Sequence, residues 1–140
     1  MSTLLDTNVL SELLRAQPHA GVLAWFGQQS ADSLFVSAVT QAEMLLGVRL
    51  LPRGRRRERL QAALDAMFRE DFAGRVLPFD SAAAAAYAAV VERRRSVGRP
   101  ISQFDAQIAA IAHCAGAAIA TRNLRDYEGC GIKVINPWGA

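Results

Sequence analysis

The chain has 140 residues, 51% of them hydrophobic and 21% charged, with a formal net charge of +3; this is enough apolar material for one core and too little charge for a disordered chain, so a single domain over residues 1–140 is expected. Its longest charge-free run, residues 106–121, is shorter than the roughly 18 apolar residues of a membrane span and is interrupted by Gln107 and His113. The first apolar stretch holds Asp6 and Glu12 and no basic residue before Arg15, unlike a secretory signal, so no membrane association and a cytoplasmic location are expected.

In chain order, a short strand at residues 3–5 precedes helices at 8–15 and at 19–29, the second opening just after Pro18. A strand at 34–37 leads into a helix at 41–50 and a long one at 56–72. A strand at 76–79 is followed by helices at 81–97 and 103–115, and strands at 117–121 and 134–135 close the chain. Short branched or aromatic runs alternating with helical segments predict an α/β fold, a parallel sheet covered by helices.

Fifteen of the sixteen basic residues are arginine, whose planar fork binds phosphate bidentately. Two clusters stand out, Arg53, Arg55, Arg56, Arg57 and Arg59 after Pro52, and Arg93, Arg94, Arg95 and Arg99 before Pro100. Each fits either a solvated helix end, where cations favour the dipole, or contact with a phosphate backbone. Cys114 and Cys130 sit among small residues and are expected as reduced, packed side chains rather than a bridge.

Ligands of open α/β sheets bind beyond the carboxyl ends of the strands, so acids following each apolar run are the candidates for chemistry. Four occur there: Asp6, Glu43, Asp105 and Asp126. Asp105 heads a helical stripe of Ile108, Ala109 and Ala112, and Glu43 stands at the same offsets from Leu46, Gly47 and Leu50, which predicts carboxylates on core-facing stripes. A buried carboxylate must protonate, pair with arginine or hold a cation; oxygen ligands without Cys or His select a hard ion, Mg²⁺ or Mn²⁺. The spacings Thr3-x-x-Asp6, Thr40-x-x-Glu43, Ser102-x-x-Asp105 and Asn123-x-x-Asp126 also resemble capping boxes, and both roles stay open because a cap fixes the backbone that aims the acid.

Phosphate-loop, nucleophile-elbow and dinucleotide-binding glycine patterns are absent, and His19 and His113 lack ligand-spaced neighbours. Hydride transfer, acyl transfer and zinc chemistry are therefore disfavoured.

Three segments in order, Leu5-Asp6-Thr7-Asn8-Val9-Leu10-Ser11-Glu12, then residues 36–43 ending in Glu43 with Gly47 beyond, then Ile101 through Asp105 to Ala110, are similar to the PIN-domain ribonucleases of the VapC or FitB toxin type. Residues 121–127 and Val134-Ile135-Asn136-Pro137 extend the resemblance almost to the end of the chain. It implies a three-layer α/β/α fold with a central parallel sheet of four to five strands. It also implies a metal-dependent endoribonuclease, the toxin of a toxin–antitoxin pair, which forms a homodimer, is held inactive by a cognate antitoxin and meets DNA only through that antitoxin.

Carried over by motif, Asp6, Glu43 and Asp105 match the acidic metal centre, with Asp126 completing a weaker second site. Thr7, Asn8, Thr121 and Asn123 are the supporting residues. Many members have an aspartate where this chain has Asn123, so either Asn123 or Asp126 fills the fourth position. Setting the four acids aside leaves sixteen basic residues against nine acidic ones, a surface that favours RNA, and Arg93, Arg94, Arg95 and Arg99 are the expected RNA contacts. The dimer patch is expected on exposed apolar residues of the 41–50 and 56–72 helices. The competing reading is a catalytically degenerate module of the same fold whose acids cap helices and whose basic faces bind RNA or protein.

Overall fold

The computed structural model describes residues 1–139. Five parallel strands, β1 (Thr3–Leu5), β2 (Leu34–Ser37), β3 (Val76–Leu77), β4 (Ala118–Ala120) and β5 (Val134–Ile135), form one sheet in the order β3-β2-β1-β4-β5. Six α-helices accompany it: α1 (Thr7–Leu13), α2 (Ala20–Gly27), α3 (Ala38–Arg49), α4 (Arg55–Ala66), α5 (Ser81–Ser96) and α6 (Gln103–Ala115). This is the expected three-layer α/β/α arrangement.

The strands are short and buried on both faces, so alternate residues feed opposite cores. Leu4 of β1 and Ile119 of β4, directly paired, pack with Ile108 and Ile111 of α6 and Val90 of α5. Their neighbours Leu5 and Ala120, also paired, face the other way into a cluster with Val9, Leu10, Val22, Met44 and Leu64. β1 is thus central in the sheet and clamped from both sides, which fixes whatever follows Leu5.

Several boundaries differ from the sequence reading. α3 starts at Ala38 rather than 41 because Ser37 caps it, its hydroxyl accepting from Thr40 N at 2.9 Å. The long helix expected over 56–72 is regular only to Ala66. It then widens through Met67–Asp71 into a π turn in which Phe72 N reaches Met67 O at 2.9 Å, which lets Met67, Phe68 and Phe72 all turn inward. β3 ends at Leu77, two residues early. α6 closes on Gly116 at φ +63°, a left-handed cap that only glycine adopts freely.

The stripe below Asp105 is buried as expected, with Ile108, Ala109 and Ala112 in the core. That below Glu43 is not: Leu46 and Leu50 are exposed, and α3 instead buries Val39, Met44 and Val48. Both cysteines are free, Cys130 buried and Cys114 exposed. No helix among the described residues is long and apolar enough to cross a membrane.

Candidate acidic active site

The carboxyl ends of β1, β2 and β4 open onto a cleft of about 530 Å³ whose wall includes Asp6, Glu43, Asp105, Thr7, Asn8 and Asn123. Asp6 follows β1 and begins α1: its backbone N continues the sheet by donating to Ala120 O at 2.9 Å, while its Oδ1 accepts from Thr7 N at 2.9 Å. The same carboxylate therefore caps the helix and lines the cleft. Asp105 stands in the first turn of α6, placed by Ser102, whose hydroxyl accepts from Asp105 N at 3.2 Å. Glu43 projects from α3 and accepts from Thr7 Oγ1 at 3.0 Å; that hydroxyl also lies 3.1 Å from Thr40 Oγ1. Capping thus explains backbone placement at Asp6 and Asp105, but Thr40 caps nothing, and Asn123 makes no side-chain cap.

Thr121 is fully buried beneath the cleft and has every hydrogen-bonding position filled. Its hydroxyl donates to Asp6 Oδ2 at 2.8 Å and accepts from Asn8 Nδ2 and from Asn123 N, both at 3.1 Å. Asn8 in turn accepts from Arg122 N through Oδ1 at 3.2 Å. The supporting residues expected from the sequence thus form one hydrogen-bonded chain from α1 to the segment after β4.

Tyr127 was not foreseen. Its hydroxyl, buried, lies 3.2 Å from Asp6 Oδ2 and 3.3 Å from Asp105 Oδ1. It has one proton, so it donates to one carboxylate at a time and stands between the two as a neutral spacer. Only its proximity to Asp126 in sequence hinted at this, since a lone buried tyrosine reads as core. Ser11, Glu12, Arg15, Arg122 and Trp138, also unforeseen, complete the wall. Glu12 is engaged already, taking His19 N at 2.8 Å and Arg15 Nη1 at 3.1 Å; the His19 amide foremost, then Arg15, holds its carboxyl below the ordinary range.

Asp6 and Glu43 feel the opposite field. Burial pushes the Asp6 carboxyl up, and the charge of Asp105 adds to this against the hydrogen bonds from Thr121, Thr7 and Tyr127. Glu43 is raised by burial and then by the charges of Asp6 and Asp105, with Thr7 opposing. The Tyr127 hydroxyl is driven far above its usual range by burial and by the same two aspartates, and stays protonated. A partly desolvated cleft in which burial and neighbouring charge raise Asp6 and Glu43 is an arrangement that a divalent cation relieves.

Asp126 does not line the cleft. It sits half-buried in the 3₁₀ turn Leu124–Tyr127, its carboxyl raised by burial and by Asp105 and lowered by Arg94. Asn123 is the residue of that segment on the cleft wall. Among the described residues no three Asp, Glu, His or Cys side chains already form a closed ligand set. The oxygen-only donors of Asp6, Glu43 and Asp105 fit a hard ion that keeps part of its water shell, as Mg²⁺ does, and do not fit a fully protein-caged one.

One of the four expected phosphate contacts, Arg94, needs correction. Arg94 is 5% exposed and is not on the surface: Nε donates to Arg99 O at 2.6 Å, and Nη1 to Asp126 O at 2.8 Å and Glu128 O at 3.1 Å. The turn at Gly98 brings these carbonyls around the α5 terminus, so this arginine is a clamp on the backbone. Arg99 pairs with Glu128 at 2.6 Å. Arg93 and Arg95 are exposed but do not line the acidic cleft, whose cations are Arg15 and Arg122.

Comparison with known proteins agrees with this geometry. The PIN domain family model matches residues 3–128. The chain is 42% identical over 134 residues to VapC ribonuclease Y4jK of Sinorhizobium fredii, covering 96% of each chain. It is 40% identical over 135 residues to Toxin FitB of Neisseria gonorrhoeae, covering 96% of this chain and 97% of the relative. The crystal structure of FitAcB from Neisseria gonorrhoeae superposes with a TM-score of 0.93 at 39% identity, over 99% of both chains.

Proposed function

Because this chain belongs to the PIN domain family, we propose that it is a metal-dependent endoribonuclease, the toxin of a toxin–antitoxin pair, which cuts RNA phosphodiester bonds at the cleft between β1, β2 and β4. The observation that carries the reading is the arrival of Asp6, Glu43 and Asp105 from three separate elements on one cleft wall, with Thr7, Asn8 and Thr121 holding them. A family resemblance of this breadth to a ribonuclease and to a toxin supports it.

Asp6, Glu43 and Asp105 are the residues that would hold Mg²⁺ or Mn²⁺. Bound there, the ion supplies charge neutralisation at the phosphodiester and lowers the pKa of a water. The chain's own residues prepare for this. Thr7 and Thr121 each tie down one carboxylate oxygen, and this fixes the rotamer of the rest. Thr7 engages Oε1 of Glu43, which leaves Oε2 without a protein donor among the described residues and able to orient a water or receive its proton. Asn123, with no charge, can only hydrogen-bond, so of the four acids on the wall only Asp6, Glu43 and Asp105 are free of an arginine partner, and Asp126 stands outside the wall.

The expected partners follow the same reading: a cognate antitoxin, DNA only by way of that antitoxin, and a second copy of the chain, in the cytoplasm. For the homodimer, Leu46 and Leu50 of α3, 57% and 74% exposed, are the apolar contribution, whereas the apolar residues of α4 turn inward.

The test is cleavage of a total-RNA pool by the purified chain with Mg²⁺ or Mn²⁺ and with chelator, Asp6→Asn running in parallel. Cutting that needs the metal and disappears in the variant is expected. A folded, partner-free chain that leaves RNA intact under both metals overturns the proposal in favour of a binding module.

A further inference from the structure

At the mouth of the cleft Arg122 and Trp138 stand one above the other. Arg122 follows Thr121 at the end of β4, and Trp138 follows β5, the adjacent parallel strand, so the two side chains emerge side by side from the same sheet edge. The Arg122 guanidinium carbon lies 5.2 Å from the centre of the Trp138 ring. Both are anchored from behind. Trp138 packs on the core cluster below and its backbone N donates to Asn136 Oδ1 at 3.0 Å, while Arg122 N donates to Asn8 Oδ1 at 3.2 Å. Arg122 is exposed and Trp138 half-buried.

The cation beside these acids is not spent on them. Arg15, the other cation of the wall, is paired with Glu12, but Arg122 makes no ion pair among the described residues although Asp6 and Asp105 share its cleft. Its guanidinium carbon lies over an indole instead. A planar cation above an aromatic ring, at an exposed position, suits the face of a nucleobase and carries charge for the phosphate attached to it. In a duplex the base faces are covered by their neighbours, and only an unpaired base has a face free to stack.

We propose that Arg122 and Trp138 form a stacking subsite that seats one unpaired base of the RNA next to the acidic cleft. This rests on the ribonuclease reading and adds the residues that hold a base beside the bond. Stacking is tolerant of base identity, so the subsite selects for unpaired structure more than for sequence.

The experiment uses ten-nucleotide RNAs carrying 2-aminopurine at successive positions, titrated with Mg²⁺ present into the full-length Asp6→Asn chain, which binds without cutting. Quenching at one position is expected, with no binding when the same RNA is annealed to its complement. Adding Trp138→Leu abolishes the quench and weakens binding about tenfold. Arg122→Lys is the second variant, because Arg122 is exposed and its replacement keeps the charge and the core while removing the plane; it weakens binding several-fold with the thermal midpoint of the free chain unchanged. Binding and quench retained in Arg122→Lys, or equal affinity for the duplex, overturns the subsite alone. Absence of RNA binding to any of the chains overturns the ribonuclease reading and the subsite together.

Discussion

Replacing Arg94 by methionine keeps the aliphatic stem in place and removes the guanidinium, so it isolates the clamp. Three carbonyls, those of Arg99, Asp126 and Glu128, lose a charged donor. Hydrogen bonds to a charged group are each worth roughly 1.5–3 kcal/mol. Part of that is returned, because a buried cation no longer has to be desolvated and the carbonyls at 126 and 128 lie in a surface turn that water can reach. The balance is a loss of about 3 kcal/mol, or about 10 °C in thermal midpoint for a chain of this size. Urea unfolding with the slope held common to both chains measures it. Arg93→Met and Arg95→Met, exposed neighbours on the same helix, serve as controls expected within about 0.5 kcal/mol of the parent. A loss below about 1 kcal/mol for Arg94→Met refutes the reasoning, and so does an equal loss in the controls.

Tyr127→Phe removes one buried oxygen from between Asp6 and Asp105, and calorimetric titration should show Mn²⁺ binding weakened about tenfold, the usual effect of losing an outer-shell partner; unchanged affinity would deny it that role. Asp6, Glu43 and Asp126 have raised folded-state pKa values, so between the ordinary carboxylate range and those values the folded chain binds more protons than the unfolded one. Stability in chelator therefore falls as pH rises through that window, while Glu12, which is lowered, contributes stability above its ordinary value of 4.5 and loses it only as pH drops further. Thermal scans taken upward in pH from the ordinary carboxylate range, about pH 4, should show this decline in chelator and its reduction by Mn²⁺; a rise in chelator contradicts the assignment. Gly116→Ala forces an alanine to φ +63° and should cost about 1 kcal/mol in the same unfolding assay, with no effect on RNA cleavage. Leu46→Asp together with Leu50→Asp should convert the dimer to a monomer in sedimentation, and an unchanged mass would move the interface elsewhere.

The layers and the acids were legible in sequence because each rests on a local pattern. The strands are short branched runs, α6 has a clean apolar stripe, and Asp6 and Asp105 follow directly on structure that the pattern predicts. Legibility failed where a residue's role depends on an element distant in sequence. Arg94 sits in a run of three arginines at a helix end and looks like solvated charge; what buries it is the turn at Gly98 and the segment at 126–130 folding over it. Glu43 was assigned the right cleft with the wrong supporting stripe: Leu46 and Leu50, at its helical offsets, are exposed, and α3 buries Val39, Met44 and Val48 instead. The break after Ala66 gave no signal at all, since Met67, Phe68 and Phe72 suit an ordinary amphipathic helix and only the demand that all three face inward selects the wider turn.

Asp126 and Tyr127 show how far spacing alone can carry a site. The segment after β4 was expected to bring one acid to the cleft, and the chain does use it, but through different atoms. The 3₁₀ turn holds Asp126 outside the wall, and the next residue enters the cluster from below as a neutral hydroxyl. A carboxylate in that place would add to a field that already raises Asp6 and Glu43, and without a cation the repulsion would work against folding. A phenol that remains protonated holds the same two aspartates at a fixed relation and adds no charge. With Asn123 uncharged and Glu12 paired with Arg15, the wall is left with three acids that have no arginine partner, Asp6, Glu43 and Asp105, which a single divalent ion comes near to balancing. Arg94 grips the carbonyls on either side of Tyr127 and so ties down the backbone that carries this hydroxyl.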